Sequence, residues 1–230
     1  MFLNAKVYQH IIFDFDGVLA ETNAVRLEGF RLLFKGYPEE EVDQLVKYAE
    51  KNGGLSRYEK IKYFFEKICG KEVSDKKLYA LAQEYSKLIK QRIIDAAPVK
   101  GSIKFLSKYY DNYDFAVVSG SDQEELQDVC KARKINHFFV EILGSPSSKE
   151  SNLDMLLGKM GWAKKSCLFI GDSINDLDAA CLIGIDFIGR NSDLMDWKFV
   201  NGITSIDDFT CLDLKNKEDE NEKSGNHNGI

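Results

Sequence analysis

Two aspartates stand at the end of the first strongly apolar stretch of the chain. This stretch reads IIFDFDGVLA from Ile11 to Ala20, and it predicts a short buried strand that ends in a turn at Gly17. Residues two apart on a strand point to the same side, so Asp14 and Asp16 are predicted to leave the strand end together. Two carboxylates this close repel each other unless a cation or a shared proton relieves them. The alternative is a solvated pair in an ordinary turn, where aspartate is common.

Polar residues follow three later predicted strands as well. Ser119 and Gly120 follow the first of them, Lys149 comes shortly after the second, and the third ends in GDSIND, which contains Asp172 and Asp176. The carboxyl ends of parallel strands lie at one edge of a sheet, and ligands bind there. Taken singly, each residue also fits a turn, a helix cap or a solvated surface. Their order and strand context favour a common site.

Carboxylates, one hydroxyl and one lysine are the groups that phosphoryl transfer needs. Mg²⁺ prefers oxygen ligands, and a carboxylate can attack phosphorus to form an aspartyl-phosphate. Mg²⁺ and Lys149 could neutralise the nucleophile and the phosphate together. Ser119 and the helix N-terminus after it offer hydrogen bonds to phosphate oxygens. Asp16 could protonate the leaving oxygen and later take a proton from water.

Strands that alternate with helices predict an α/β fold for the second half of the chain. Apolar runs predict strands at 115–118, 139–143, 167–170 and 187–188, with helices at 102–110, 122–132, 153–160 and 176–182. Ser121 and Glu124 have the spacing of a capping box for the second of these helices. The alternation predicts a parallel sheet with helices on both faces.

Residues 21–95 have a different character, because they are rich in Glu, Lys, Leu and Tyr and poor in strand signals. Apolar spacing predicts helices at 25–34, 39–50, 58–68 and 74–94, the last as one long helix or a pair. Gly53 and Gly54 predict a tight loop between the second and third helices, and Arg57 lies in that connection. We therefore expect a small helical domain inserted after the first strand.

The composition is that of a globular protein with an ordinary core. The chain has 230 residues, 44% hydrophobic and 30% charged, with a net charge of −6. The negative balance disfavours nucleic acid as a partner, and no signal peptide or membrane helix is predicted. The five scattered cysteines show no CxxC spacing, which predicts reduced, mostly buried thiols in a cytoplasmic protein.

The motifs together resemble those of the haloacid dehalogenase-like (HAD) superfamily of phosphohydrolases. They are DFDGVL at Asp14–Leu19, VVSGS at Val117–Ser121, Lys149 in GSPSSKES, and GDSINDLDAA at Gly171–Ala180. The combination spans residues 11–190 and is specific, whereas any single motif is not.

The resemblance implies a fold and a domain division. It implies a Rossmann-like catalytic core formed by residues 1–20 and 96–213, with residues 21–95 as a helical C1 cap. Residues 214–230 have almost no apolar side chain, and this composition predicts a disordered tail.

The resemblance also implies a role for each motif residue. Asp14 would be the nucleophile and Asp16 the general acid/base. Three residues would bind the phosphoryl group: Ser119, Gly120 and Lys149. Mg²⁺ would be held by four residues: Asp14, Asp16 through its backbone carbonyl, Asp172 and, directly or through a water, Asp176.

Two positions indicate which subgroup of this superfamily the chain resembles. Dehalogenases of this superfamily have Tyr two residues after the nucleophile, whereas this chain has Asp16, which favours phosphate chemistry. Arg57, in the GLSR stretch, resembles the cap-loop arginine with which enzymes of the β-phosphoglucomutase kind contact the second charged group of the substrate. Those mutases usually have His where this chain has Arg26, and this departure argues against a mutase.

The expected function is a Mg²⁺-dependent phosphatase acting on a small phosphorylated metabolite, either a sugar phosphate or a phosphoglycolate-like acid. A phosphomutase is the alternative within the superfamily. A catalytically silent interaction module is the alternative from another class, and the intact carboxylate set argues against it. The sequence leaves the substrate and the oligomeric state open.

Overall fold

The strand predicted at the first two aspartates lies in the middle of a parallel sheet. The computed structural model describes residues 8–214. The strands of the sheet are β1 (His10–Phe13), β2 (Asp114–Asp122), β3 (Glu141–Ser145), β4 (Cys167–Gly171), β5 (Asp186–Arg190) and β6 (Thr204–Ile206). Their order is β3-β2-β1-β4-β5-β6, and every neighbouring pair is parallel. The order reverses beside β1, and such a switch point is where open α/β sheets bind ligands.

Helices cover the sheet and also form a separate stretch between β1 and β2. That stretch begins with α1 (Asn23–Leu33), α2 (Glu39–Lys51), α3 (Arg57–Tyr63) and α4 (Asp75–Asp95). The helices that cover the sheet are α5 (Ser102–Tyr109), α6 (Gln123–Ala132), α7 (Lys149–Met160) and α8 (Ile174–Ile183). The predicted α/β class with helices on both faces is confirmed.

Alternating side chains of the strands divide the core between the two faces of the sheet. Phe13 of β1 packs in one cluster, which includes Phe105 of α5 and Leu126 of α6. Ile12 packs in the other cluster, with helices α7 and α8, through residues such as Leu153. Because β1 is buried on both faces, the residues that follow it are held in a fixed position at the sheet edge.

The four helices α1–α4 pack on one another and share the first of these clusters. The chain enters and leaves this helical segment by two connections that run side by side. The Glu21 backbone N–H donates to the Ala97 carbonyl over 2.9 Å, and the Val99 N–H donates to the Leu19 carbonyl over 3.1 Å. That residues 21–95 behave as a separate cap domain stays a prediction.

Several element boundaries differ from those predicted. The third helix, predicted at 58–68, is α3 followed by a π-helical turn at Phe64–Ile68. The fourth is one continuous helix, α4, whose N-cap Ser74 accepts the backbone N–H of Lys77. β6 was not predicted, because its three residues TSI are too short to show a period.

The capping box predicted at Ser121 and Glu124 is wrong. Ser121 lies in β2, which extends to Asp122, and Asp122 is the N-cap of α6. Its carboxylate accepts the backbone N–H of Glu125 over 3.2 Å. The helix therefore begins one residue later than the spacing indicated, and Ser121 is available for another contact.

The structure also bears on the predictions for the C-terminal residues, the cysteines and membrane-spanning helices. Leu214, the first residue of the predicted tail, is buried, and the rest of the predicted tail, residues 215–230, lies outside the described residues. Within the described residues none of the five cysteines forms a disulfide, but only Cys130 and Cys167 are buried, so the prediction of mostly buried thiols is wrong. Between residues 8 and 214, no helix combines the length and apolar character needed to cross a membrane.

Candidate active site

The carboxyl ends of β1, β2 and β4 meet at a cavity of about 60 Å³ that the helical segment also lines. Its walls contain six of the predicted site residues: Asp14, Asp16, Arg57, Ser119, Gly120 and Asp172. The two others, Lys149 and Asp176, adjoin its wall, since Lys149 contacts both Asp14 and Asp176. The structure thus brings all of the predicted residues together.

Three buried carboxylates form the floor of the site. Asp14 follows β1 directly, Asp172 follows β4, and Asp176 lies in the first turn of α8. One ligand atom from each lies within 4.8 Å of the others. The Ser173 backbone N–H and hydroxyl both donate to Asp176 Oδ2, over 3.0 and 2.6 Å, which orients this carboxylate. One oxygen from each of the three carboxylates could therefore bind the same ion.

The electrostatics of this floor favour a bound cation. Burial, opposed by Lys149 and reinforced by Asp176 and Asp16, raises the pKa of Asp14 to about 6. Burial and the neighbouring carboxylates raise the pKa of Asp172 to about 8, although Asn23 donates to it over 2.7 Å. A divalent cation would lower both values by neutralising the repulsion. The purely oxygen-donor set therefore fits a hard ion such as Mg²⁺.

Lys149 links the nucleophile position to the rest of the floor. It is the first residue of α7, and its buried ammonium donates to Asp14 Oδ2 over 2.8 Å and to Asp176 Oδ1. Burial disfavours the charge, but Asp14 and Asp176 outweigh burial and raise the pKa of Lys149 above its usual value. The lysine is therefore a permanent cation beside Asp14.

The side chain of Asp16 has different partners from those of Asp14. Its carboxylate accepts hydrogen bonds from the Thr22 hydroxyl at 2.5 Å, the Ser121 hydroxyl at 2.6 Å and Arg26 Nε at 2.9 Å. Burial alone would raise the pKa of Asp16, but Arg26 and these hydrogen bonds lower it below its usual value. Asp16 is therefore held ionised on the side of the cavity that faces α1.

The loop predicted at Gly53 and Gly54 lies directly on the strand ends. The Asn175 side-chain amide donates to the Gly53 carbonyl. A Cβ on Gly120 would lie 2.2 Å from the Gly54 carbonyl oxygen, so a larger residue would push the loop away. Ser119, beside it, is buried and accepts the Ser121 backbone N–H over 3.2 Å. These contacts close the helical segment over the site.

The structure places Arg57 at the start of a helix and not in the connection before it. It is the first residue of α3, only 4% exposed, and it donates to the two carboxylate oxygens of Glu125 over 2.8 and 2.7 Å. Its guanidinium also contacts Ser86 and lies 4.7 Å from the centroid of the Tyr85 ring. Arg57 lines the cavity, but direct contact with a substrate stays a prediction.

Sequence reasoning missed the residue that joins these groups. Glu125 of α6 binds both Arg57 and Arg26, and Arg26 in turn binds Asp16 and Ser121. Burial would raise the pKa of Glu125, but the two arginines lower it far below its usual value. In the sequence, Glu125 reads as an ordinary acidic residue in the first turn of a helix. No local signal distinguishes it.

Gly17 offers a test of the metal site. It has a φ of +70°, and a Cβ there would lie 1.9 Å from Asp172 Oδ2. We expect Gly17→Ala to displace this carboxylate and to raise the Mg²⁺ concentration for half-maximal activity about tenfold to a hundredfold. Gly36→Ala is the matched control, because a Cβ there meets nothing within 4 Å. An unchanged Mg²⁺ titration in Gly17→Ala would remove Asp172 from the metal site.

Comparison with known proteins agrees with this geometry. The family model described as haloacid dehalogenase-like hydrolase matches residues 11–190. A phosphoglycolate phosphatase of Pasteurella multocida is 30% identical over 129 residues, which are 52% of this chain and 57% of that protein. The chain thus spans somewhat more than half the length of this curated relative.

Solved structures share the fold over a longer stretch. A β-phosphoglucomutase from Clostridium difficile has a TM-score of 0.72 at 17% identity, covering 95% of this chain and 98% of that one. A variant of CbbY from Rhodobacter sphaeroides, in complex with xylulose-(1,5)-bisphosphate, has a TM-score of 0.71 at 18% identity, covering 88% and 95%. At these identities the likeness concerns the fold, which is Rossmann-like. Since the family model covers most of the sequence, the protein belongs to the haloacid dehalogenase-like hydrolase family of enzymes.

Proposed function

We propose that the protein is a Mg²⁺-dependent phosphatase that hydrolyses a small phosphorylated metabolite through an aspartyl-phosphate on Asp14. One observation supports this more than any other. The Lys149 ammonium lies between Asp14 and Asp176, and one oxygen from each of these two carboxylates could bind the same ion as Asp172. This arrangement supports the proposal because a nucleophile, a cation and a divalent metal ion could there act on one phosphoryl group.

In the first step, an Asp14 carboxylate oxygen forms a bond to phosphorus, and the bond from phosphorus to the leaving oxygen breaks. Lys149 balances the charge of the nucleophile, while Ser119 and the backbone at Gly120 are the proposed donors to the phosphoryl oxygens. The leaving oxygen takes its proton from Asp16. Asp16 can act as the acid only after Arg26 has shifted and the carboxyl has taken up a proton.

In the second step, water attacks phosphorus and the bond to Asp14 breaks. The proton of the attacking water passes to Asp16, which became a carboxylate when it protonated the leaving oxygen in the first step. The products are inorganic phosphate and the free Asp14 carboxylate. Asp16 thus gives up one proton in the first step and takes up one in the second, so its protonation state is restored over the cycle.

Mg²⁺ is the proposed metal. Asp14, Asp172, Asp176 and the backbone carbonyl of Asp16 would hold it, and when bound it would neutralise charge on the phosphoryl oxygens. The relatives support the substrate class. One is a phosphoglycolate phosphatase by name, and a structural neighbour was solved with a sugar bisphosphate. Both ligands are small phosphorylated metabolites.

Removal of the metal tests the proposed function. We expect phosphate release from an aryl phosphate to stop in EDTA and to return with added Mg²⁺. Ca²⁺ should inhibit, since its looser and higher coordination misplaces the Asp14 carboxylate. Full activity in chelator would contradict the proposed metal site. Transfer of the phosphoryl group to another position of a sugar, without release of phosphate, would favour the phosphomutase.

A further inference from the structure

The proposed mechanism gives no role to one buried, positively charged side chain that lines the cavity. Lys60 lies on α3, one turn after Arg57, and lines the cavity while only 9% exposed. Within residues 8–214, no hydrogen bond or ion pair is formed by its ammonium group. Burial lowers the pKa of Lys60 to about 8. An ammonium without a partner in such a place is costly to the folded protein.

The other cations of the cavity are already neutralised by the protein. Arg57 binds the carboxylate of Glu125, and Arg26 binds Glu125 and Asp16. Lys149, which adjoins the cavity wall, is paired with two carboxylates. These three cations therefore already have carboxylate partners, whereas within residues 8–214 the ammonium of Lys60 has none.

The position of Lys60 indicates which part of a substrate it faces. Apart from burial, the charges that influence it most are those of Asp16, Lys149 and Arg26. Lys60 lines the same cavity as Asp16, the proposed proton donor to the leaving oxygen. A group on the alcohol part of a phosphate ester, a short distance from the ester oxygen, would lie beside it.

We propose that Lys60 is a specificity-determining residue that binds an anionic oxygen group, a carboxylate or a second phosphate, on the leaving-group part of the substrate. This inference rests on the phosphatase function proposed above. Binding would give the Lys60 ammonium a partner that residues 8–214 do not supply, so an anionic substrate should bind more tightly than a neutral one. In this proposal Lys60, and not Arg57, is the primary contact with the second charged group of the substrate. The Arg57 guanidinium is already bound to Glu125.

The test compares three small phosphate esters: 2-phosphoglycolate, propanediol bisphosphate and ethyl phosphate. The variant is Lys60→Met, and its matched control is Lys62→Met on the same helix, whose side chain is 58% exposed. Lys60→Gln serves as a second uncharged variant in case the methionine variant does not fold. Phosphate release gives kcat/KM for each ester, and a thermal melt checks each variant for folding.

We expect the wild type to prefer at least one anionic ester over ethyl phosphate. In Lys60→Met this ratio of kcat/KM values should fall about tenfold to a hundredfold, the scale of one charge-assisted contact, while Lys62→Met keeps it. The ester with the larger loss identifies the anion as a carboxylate or a phosphate. Unchanged ratios, or equal losses on all three esters, would overturn the role of Lys60 and leave the phosphatase standing. No release from any ester by the wild type would overturn both.

Discussion

We expect Asp14→Asn to lower turnover of any phosphate ester by about a thousandfold or more. An amide of nearly the same shape cannot attack phosphorus, so no aspartyl-phosphate forms. The fold should persist, because the amide oxygen can still accept the backbone N–H of Phe15, now 2.6 Å from Asp14 Oδ1. Lys149 also keeps its contact with Asp176. The measurement is phosphate release, together with a thermal melt of both proteins.

The melt separates loss of the nucleophile from loss of the fold. Burial and the neighbouring carboxylates raise the pKa of Asp14, so the charge is unfavourable there, and Tm should stay the same or rise. Asp154→Asn, an exposed position on α7, is the matched control and should keep full activity. More than a few per cent of activity in Asp14→Asn, in protein free of wild type, would mean that another residue is the nucleophile.

The largest loss of stability is expected for Glu125→Ala. This substitution leaves Arg57 without its carboxylate and removes one of the two acids bound by Arg26. Breaking a buried ion pair from one side costs about 3–5 kcal/mol, so Tm should fall on the order of 10 °C. If the helical segment opens to hydrate the arginines, faster hydrogen exchange in α1 and α3 should accompany the fall.

Glu124→Ala is the control, because its side chain is the exposed neighbour of Glu125 in the same helical turn. Since the pKa of Glu125 lies below its usual value, its contribution is complete above the pKa of an unfolded glutamate and is lost only as pH falls through the folded value. The stability difference should therefore be constant from roughly pH 6 to pH 8. Equal melting temperatures for the two variants would show that Glu125 does not hold the helical segment on the core.

The sequence alone predicted the floor of the site. Asp14, Asp172 and Lys149 each follow a strand directly or begin the helix after it. Their position depends on the strand, on the turn and on the rule that parallel strands end at one edge. Apolar periodicity predicts those strands from a few neighbouring residues, so the meeting of these groups needed no knowledge of packing. The apolar periodicity predicted neither the order of the strands in the sheet nor the short strand β6.

Only the tertiary structure decided what the predicted cap residues do. Arg57 meets Glu125, 68 residues further on, and Arg26 meets the same carboxylate, 99 residues away. Neither pairing has a sequence period, because each depends on how α1 and α3 pack against α6. Lys60 shows the same limit, since it looks like any lysine on a solvated helix until packing buries it beside the cavity. Contacts between distant segments arise from packing. A single sequence gives the residue types along the chain, but it does not show which distant residues will pack together.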